Sequence, residues 1–147
     1  MVFYVENVES LPERFFDSRE SFVCKSPIVV STMMDRPDGK RSVHYLNYLI
    51  QKEREHFIEN LWQNLVRKYE VLYQQPYLGE YPFAFHFDPE YIARYNGKIG
   101  KWIVVKQGIK VLGMEAPFFI EAEPDLIRVG YDCGFGEKNG SSFECVE

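Results

Sequence analysis

Lys101-Trp102-Ile103-Val104-Val105-Lys106, then Gln107-Gly108, then Ile109-Lys110-Val111-Leu112-Gly113-Met114 is the stretch on which the fold turns. β-Branched and aromatic residues fill both flanks, and the glycine between them supplies the positive φ of a tight turn, so the stretch predicts a hairpin. Its second strand is expected to run on through Phe118-Phe119-Ile120-Glu121-Ala122. Next, Pro124-Asp125-Leu126-Ile127-Arg128-Val129-Gly130-Tyr131 places proline at a helix start and apolar residues at 126, 127 and 131, which predicts a short helix. A glycine-rich loop, Gly134-Phe135-Gly136-Glu137-Lys138-Asn139-Gly140, then leads to Ser142-Phe143-Glu144-Cys145-Val146, which alternates as a terminal strand does.

Upstream, Phe57, Ile58, Leu61, Trp62, Leu65, Tyr69 and Leu72 are spaced by three and four residues, the stripe of one helix face. This helix is expected to begin between Leu49 and Gln51 and to end before Gln75-Pro76, because proline disfavours helical geometry in its predecessor. Phe22-Val23-Cys24-Lys25-Ser26-Pro27-Ile28-Val29-Val30 reads as the first strand, with Pro27 marking a bulge or an edge position. Met34-Asp35-Arg36-Pro37-Asp38-Gly39-Lys40 reads as a turn in a polar loop. Between Pro76 and Gly100, Pro82, Pro89 and Gly97 interrupt an aromatic-rich segment, which predicts loops with one short strand or turn of helix. The resulting order β, α, β, β, α, β is that of the ferredoxin-like, RRM-like α+β sandwich. In it an antiparallel sheet carries both helices on one face and leaves the other free to bind. Residues 1–21 read as an N-terminal arm or lead-in, and residues 22–147 as the domain.

The 147 residues, 46% apolar and 16% aromatic, suffice for one domain with a substantial core, which excludes a disordered chain. With 17 Lys and Arg against 22 Asp and Glu the net charge is -5, so a nucleic-acid partner would need a local site. No apolar run reaches the length of a membrane span, and the start lacks a secretory pattern, so the chain reads as soluble and cytoplasmic. The three cysteines, Cys24, Cys133 and Cys145, form no C-x-x-C pair, which argues against a disulfide framework or a zinc site. No metal or cofactor is indicated. Cys24 and Cys145, on the first and last strands, are expected to face one another as reduced thiols.

The glycine-rich loop has two readings. Glycines allow a phosphate to approach the backbone closely, which makes the loop a cradle for an anion or an RNA backbone. They equally suit a turn that only connects a helix to an edge strand. The loop is neither a Walker loop nor a dinucleotide fingerprint. Lys98, Lys101, Lys106 and Lys110 cluster around the hairpin and, with Trp102, suit single-stranded RNA; lysines there also protect against edge pairing. His44, in Lys40-Arg41-Ser42-Val43-His44-Tyr45, has the surroundings of a phosphate-transfer site, with a surface histidine as the plainer reading. His56 reads as a boundary residue of the helix and His86 as packed or hydrogen-bonded among aromatics.

The run from Ile120 to Asn139, together with Lys25-Ser26-Pro27-Ile28-Val29-Val30 and Asn64-Leu65-Val66-Arg67-Lys68-Tyr69, resembles the CRISPR-associated endoribonucleases that process precursor CRISPR RNA, in the RAMP superfamily. The resemblance runs from about residue 22 to 147 and concerns the second of that family's two ferredoxin-like halves. It implies RNA contacts from Gly134, Gly136, Lys138 and Asn139, to which the scattered basic residues add Arg128 and Lys101 as candidates. It also implies precursor CRISPR RNA, through its repeat, as the partner, with other CRISPR-associated subunits or a second copy of the chain beside it. Cleavage in the family is metal-independent attack of a 2′-hydroxyl on the adjacent phosphate, and its usual catalytic residues lie in the first half, so the catalytic half is expected to be absent. His44 and Tyr45 are the only weak catalytic candidates. Where the family closes with Gly-aromatic-Gly, this chain has Ser142-Phe143-Glu144, and Glu144 would repel phosphate. The alternative to RNA binding is a catalytically inactive protein-interaction module on the same fold.

Overall fold

A computed structural model describes residues 16–24, 26–79, 82–104 and 108–137. The elements are β1 (Arg19–Phe22), β2 (Ser31–Asp35), β3 (Arg41–Tyr45), α1 (Gln51–Tyr73), β4 (Ala84–Phe87), α2 (Pro89–Arg94), β5 (Gly100–Val104), β6 (Lys110–Met114), β7 (Phe118–Glu121) and α3 (Pro124–Cys133). The predicted hairpin is present: β5 and β6 pair antiparallel, with Ile103 opposite Val111. Its second strand does not run on. β6 stops at Met114, and Pro117, which has no N–H to give a ladder, precedes β7 in a different sheet.

That other sheet has three described strands in the order β1-β7-β4, with β7 antiparallel to both neighbours. β1 and β4 are therefore parallel to each other, and parallel strands need a long crossover, which α1 provides. This is the split βαβ arrangement, and the ferredoxin-like expectation is borne out. The expected terminal strand, 142–146, lies outside the described residues.

Alternation divides the sheet into two faces. On one, Phe22, Phe118 and Phe87 form a row across the three strands, and Ile120 lies beside Phe85 in the next. All five are buried. Phe57, Leu61 and Leu65 of α1 and Leu126, Ile127 and Val129 of α3 are buried in the same core. Rings make much of the contact: Phe118 lies 5.0 Å from Phe85 and 5.2 Å from Phe135, and Tyr48 meets Phe87 edge-on at 4.8 Å. Phe85 and Phe87 belong to this single core rather than to a second one under long loops, because β4 alternates and pairs directly with β7. The α1 stripe holds through Tyr69, which packs against the core partly buried, while Leu72 lies beyond it and is exposed.

Two other readings change. The first strand is Arg19–Phe22, beginning within the expected lead-in arm and sharing only Phe22 with the expected strand Phe22–Val30, whose later part makes single bridges, Ile28 to Met114 and Val29 to Glu137. The expected polar loop is a hairpin, with β2 and β3 paired from Ser31–Tyr45 to Asp35–Arg41 around a turn at Gly39, φ +84°. Met33, Met34 and Val43 are all exposed, so this two-stranded ribbon has no strongly buried face to impose an alternating pattern.

His44 joins the ribbon to α1. Its Nε2 lies 3.1 Å from Glu53 in the first helical turn, and the same carboxylate accepts the Asn47 N–H at 2.8 Å. Partial burial resists ionisation of Glu53, yet the Asn47 N–H, His44 and His56 outweigh it and hold its pKa below the ordinary 4.5. A carboxylate with a depressed folded-state pKa stabilises above its unfolded value and loses that contribution as pH falls through the folded one. Glu53→Gln should therefore cost about 0.5–1 kcal/mol near neutral pH. In urea titrations the gap from the parent should narrow as pH falls below 4.5; a constant gap would contradict the linkage. Phe118→Ala should cost about 3–5 kcal/mol in the same measurement, since it removes the ring on which both neighbouring strands pack.

Candidate nucleic-acid interface

The glycine-rich loop is built by the core beneath it. α3 ends as Gly134, φ +94°, donates its N–H to the Gly130 carbonyl at 2.8 Å. Phe135 then turns inward and is buried against Phe22 and Phe118. Its ring fills the space above Gly130, where a Cβ would come within 2.2 Å of it. Gly136 has φ +86°, and a Cβ there would sit 2.6 Å from the Val29 carbonyl oxygen. The close approach that requires glycine at 136 is thus made by the protein's own backbone.

Two side chains brace the loop. Lys68 of α1 donates from Nζ to the carbonyls of Gly134 and Gly136, each at 2.8 Å. Glu137 donates its N–H to Val29 at 2.7 Å and accepts at its carboxylate from the Ser31 N–H and hydroxyl, each at 2.8 Å. Asn60, also on α1, donates to the Ser31 carbonyl at 3.0 Å. The loop, the base of the β2–β3 ribbon and the middle of α1 therefore form one hydrogen-bonded unit.

Of the residues singled out from sequence, the structure brings Tyr45 to this unit. Tyr45 lies opposite Ser31 in the ladder, and burial, followed by the Glu137 carboxylate, raises its hydroxyl pKa above 10.0. His44, next in the strand, is engaged with Glu53 instead. Arg128 lies on α3, 3.8 Å from Asp132 and with its guanidinium 5.3 Å from the Phe16 ring centre. Lys101 is paired with Glu115, which raises its pKa. Register puts Trp102, Val104 and Lys110 on one face of the β5–β6 hairpin and Lys101 on the other. Trp102 is 65% exposed. Lys138, Asn139, Lys106, Glu144 and Cys145 lie outside the described residues.

Sequence reading left the free face of the sheet without named residues. It carries Arg19 and Ser21 from β1, Phe119 and Glu121 from β7, and Ala84 and His86 from β4, around an open depression of about 530 Å³. Phe119 is 40% exposed and stacks on His86, ring centres 5.0 Å apart, while Arg19 pairs with Glu121 at 3.3 Å. The alternation in Ala84-Phe85-His86-Phe87 and Phe118-Phe119-Ile120-Glu121 was the available clue. His86 is thus exposed on a sheet face and stacked, and His56 is exposed on α1.

Among the described residues no three His, Cys, Asp or Glu side chains gather as metal ligands, and no helix is long and apolar enough to cross a membrane. Cys24 is buried, donates to the Ala116 carbonyl at 3.1 Å, and has its thiol pushed up to about 12, chiefly by burial.

Comparison with known proteins matches residues 9–147 to the family model described as CRISPR associated protein Cas6, C-terminal. A curated relative, CRISPR-associated endoribonuclease Cas6 1 of Methanocaldococcus jannaschii, is 33% identical over 122 residues, which are 82% of this chain and 42% of that protein. A solved structure titled CRISPR associated protein Cas6 is 31% identical, with TM-score 0.68, over 93% of this chain and 49% of its own. A Cas6-related protein from Pyrococcus furiosus, 22% identical at TM-score 0.74, shares the fold over 93% of this chain and 50% of its own. So does a RAMP protein whose title says it binds different RNA substrates, 21% identical at TM-score 0.71, over 93% and 51%. The chain spans about half the length of the relatives it matches. A family match over nearly all its residues makes this chain a member of the Cas6 family, corresponding to that family's C-terminal part.

Proposed function

We propose that this chain binds precursor CRISPR RNA through the repeat, as the RNA-binding half of a precursor-processing endoribonuclease. The observation that carries this reading is the family match over residues 9–147, which includes the braced loop at Gly134–Glu137. Gly134 and Gly136 set the path of the backbone, and Lys138 and Asn139 follow at once with a cation and an amide to meet phosphate. Arg128 and Lys101 are outlying contacts. Each is paired with a carboxylate, Asp132 or Glu115, that a phosphate must displace. The exposed Trp102 and the stacked Phe119 offer faces to unpaired bases.

The reaction of the family joins the 2′-oxygen to phosphorus and releases the 5′-oxygen, leaving a cyclic phosphate. We assign this chain retention of the RNA and leave that step to the family's catalytic half, whether joined to this chain or supplied by another CRISPR-associated subunit or a second copy. His44, the candidate from sequence, pairs with Glu53 of α1. The cytoplasm is the compartment in which such a partner would be met.

Incubation with repeat RNA in the presence of a chelator, followed across salt concentrations, tests the reading. Retention should weaken as salt rises, with no cleavage. Loss of retention at low salt would overturn it and favour the protein-interaction alternative. Lys138→Ala should weaken binding and flatten the salt dependence by about 0.7 of a logarithmic unit per logarithmic unit of salt, the contribution of one phosphate contact on a single strand. Glu144→Gly should strengthen binding. If neither substitution has an effect, the RNA lies elsewhere. Chelator-resistant cleavage that disappears in His44→Ala would instead assign catalysis to this chain.

A further inference from the structure

We infer that Lys68 is the positioning residue of the RNA-binding loop, acting on the RNA through the loop backbone and not by contact with phosphate. The inference rests on the RNA-binding reading above. Lys68 lies one turn after Leu65, whose side chain is fully buried, so its stem starts from a fixed point of α1. From there Nζ reaches two carbonyl oxygens that flank Phe135, those of Gly134 and Gly136, at 2.8 Å each. Both distances are those of charge-assisted hydrogen bonds.

The chemistry explains why a cation is suited to this place. Each peptide group at the loop has a positive N–H end and a negative carbonyl end, and a phosphate is attracted to the first and repelled by the second. Glycines resist peptide rotation least, so an unbraced Gly-x-Gly can turn its carbonyls outward. Lys68 holds both carbonyls toward α1. Both bonds run to backbone carbonyl oxygens, so the brace acts on the orientation of the peptide groups.

Lys68→Met tests this, since it keeps the apolar stem and removes the donors. In the full chain, repeat-RNA affinity should fall roughly tenfold, the effect of one charge-assisted hydrogen bond, with the slope of affinity against salt unchanged. Amide exchange at residues 134–137 should speed up with or without RNA. Lys68→Arg should recover part of the affinity. A flattened slope, as expected for Lys138→Ala, would mean that Lys68 touches phosphate and would overturn the inference. So would a folded Lys68→Met with parent affinity and parent exchange. If Lys68→Met does not fold, Lys68→Leu, which also removes the donors and suits a helix, is measured in the same way, and parent values there overturn the inference equally. Failure of the parent chain to bind RNA contradicts the RNA-binding reading instead, while the exchange measurement still reports on the brace.

Discussion

Phe118 sits at the centre of a row that runs Phe22, Phe118, Phe87 across the sheet, and the rest of the molecule is arranged about it. β7 is only four residues long, yet it supplies the hydrogen bonds for β1 on one side and β4 on the other. Among the described residues it is the strand that joins those two parallel strands into one sheet. Its alternation also sets the two faces: Phe118 and Ile120 point to the helices, while Phe119 and Glu121 face outward. One short strand thereby fixes where the core lies and which surface stays open.

The candidate interface inherits its shape from that core. Phe135 packs on Phe118 and pulls the glycine-rich loop down, Gly130 makes room for the ring, and Gly136 lets the chain pass against Val29. Residues 134–137 are consequently held by packing and hydrogen bonds before any ligand arrives, which lowers the ordering cost of binding there. Its glycines serve packing first. A ligand would use a backbone already held in place.

The acidic balance gains a local meaning. Arg19, Arg36, Arg41, Lys101 and Arg128 are each within ion-pair distance of a carboxylate. Such surface pairs add little stability, but they spread the cations among acids and prevent a broad positive field. Lys68 donates to two backbone carbonyls, those of Gly134 and Gly136. This fits a chain of net charge -5 in which affinity for a polyanion must come from a small and well-placed site.

Local pattern alone determined much of this protein. The α1 stripe, the β5–β6 hairpin, the proline-led α3 and the glycine-rich loop all follow from spacing, turn residues and helix punctuation, which act over a few residues. The order of those elements pointed to the ferredoxin-like class, and the motifs pointed to the family. Tertiary structure decided what depends on distant partners. It broke the first strand after Phe22, ended β6 before Pro117, and folded the wet ribbon of β2 and β3, whose pattern lacks alternation because neither face is deeply buried. It also brought Lys68 beneath Gly134 and Gly136, residues separated by 66 and 68 positions in the chain. No local pattern encodes such a contact, because it exists only once the shared hydrophobic core has set α1 and α3 side by side.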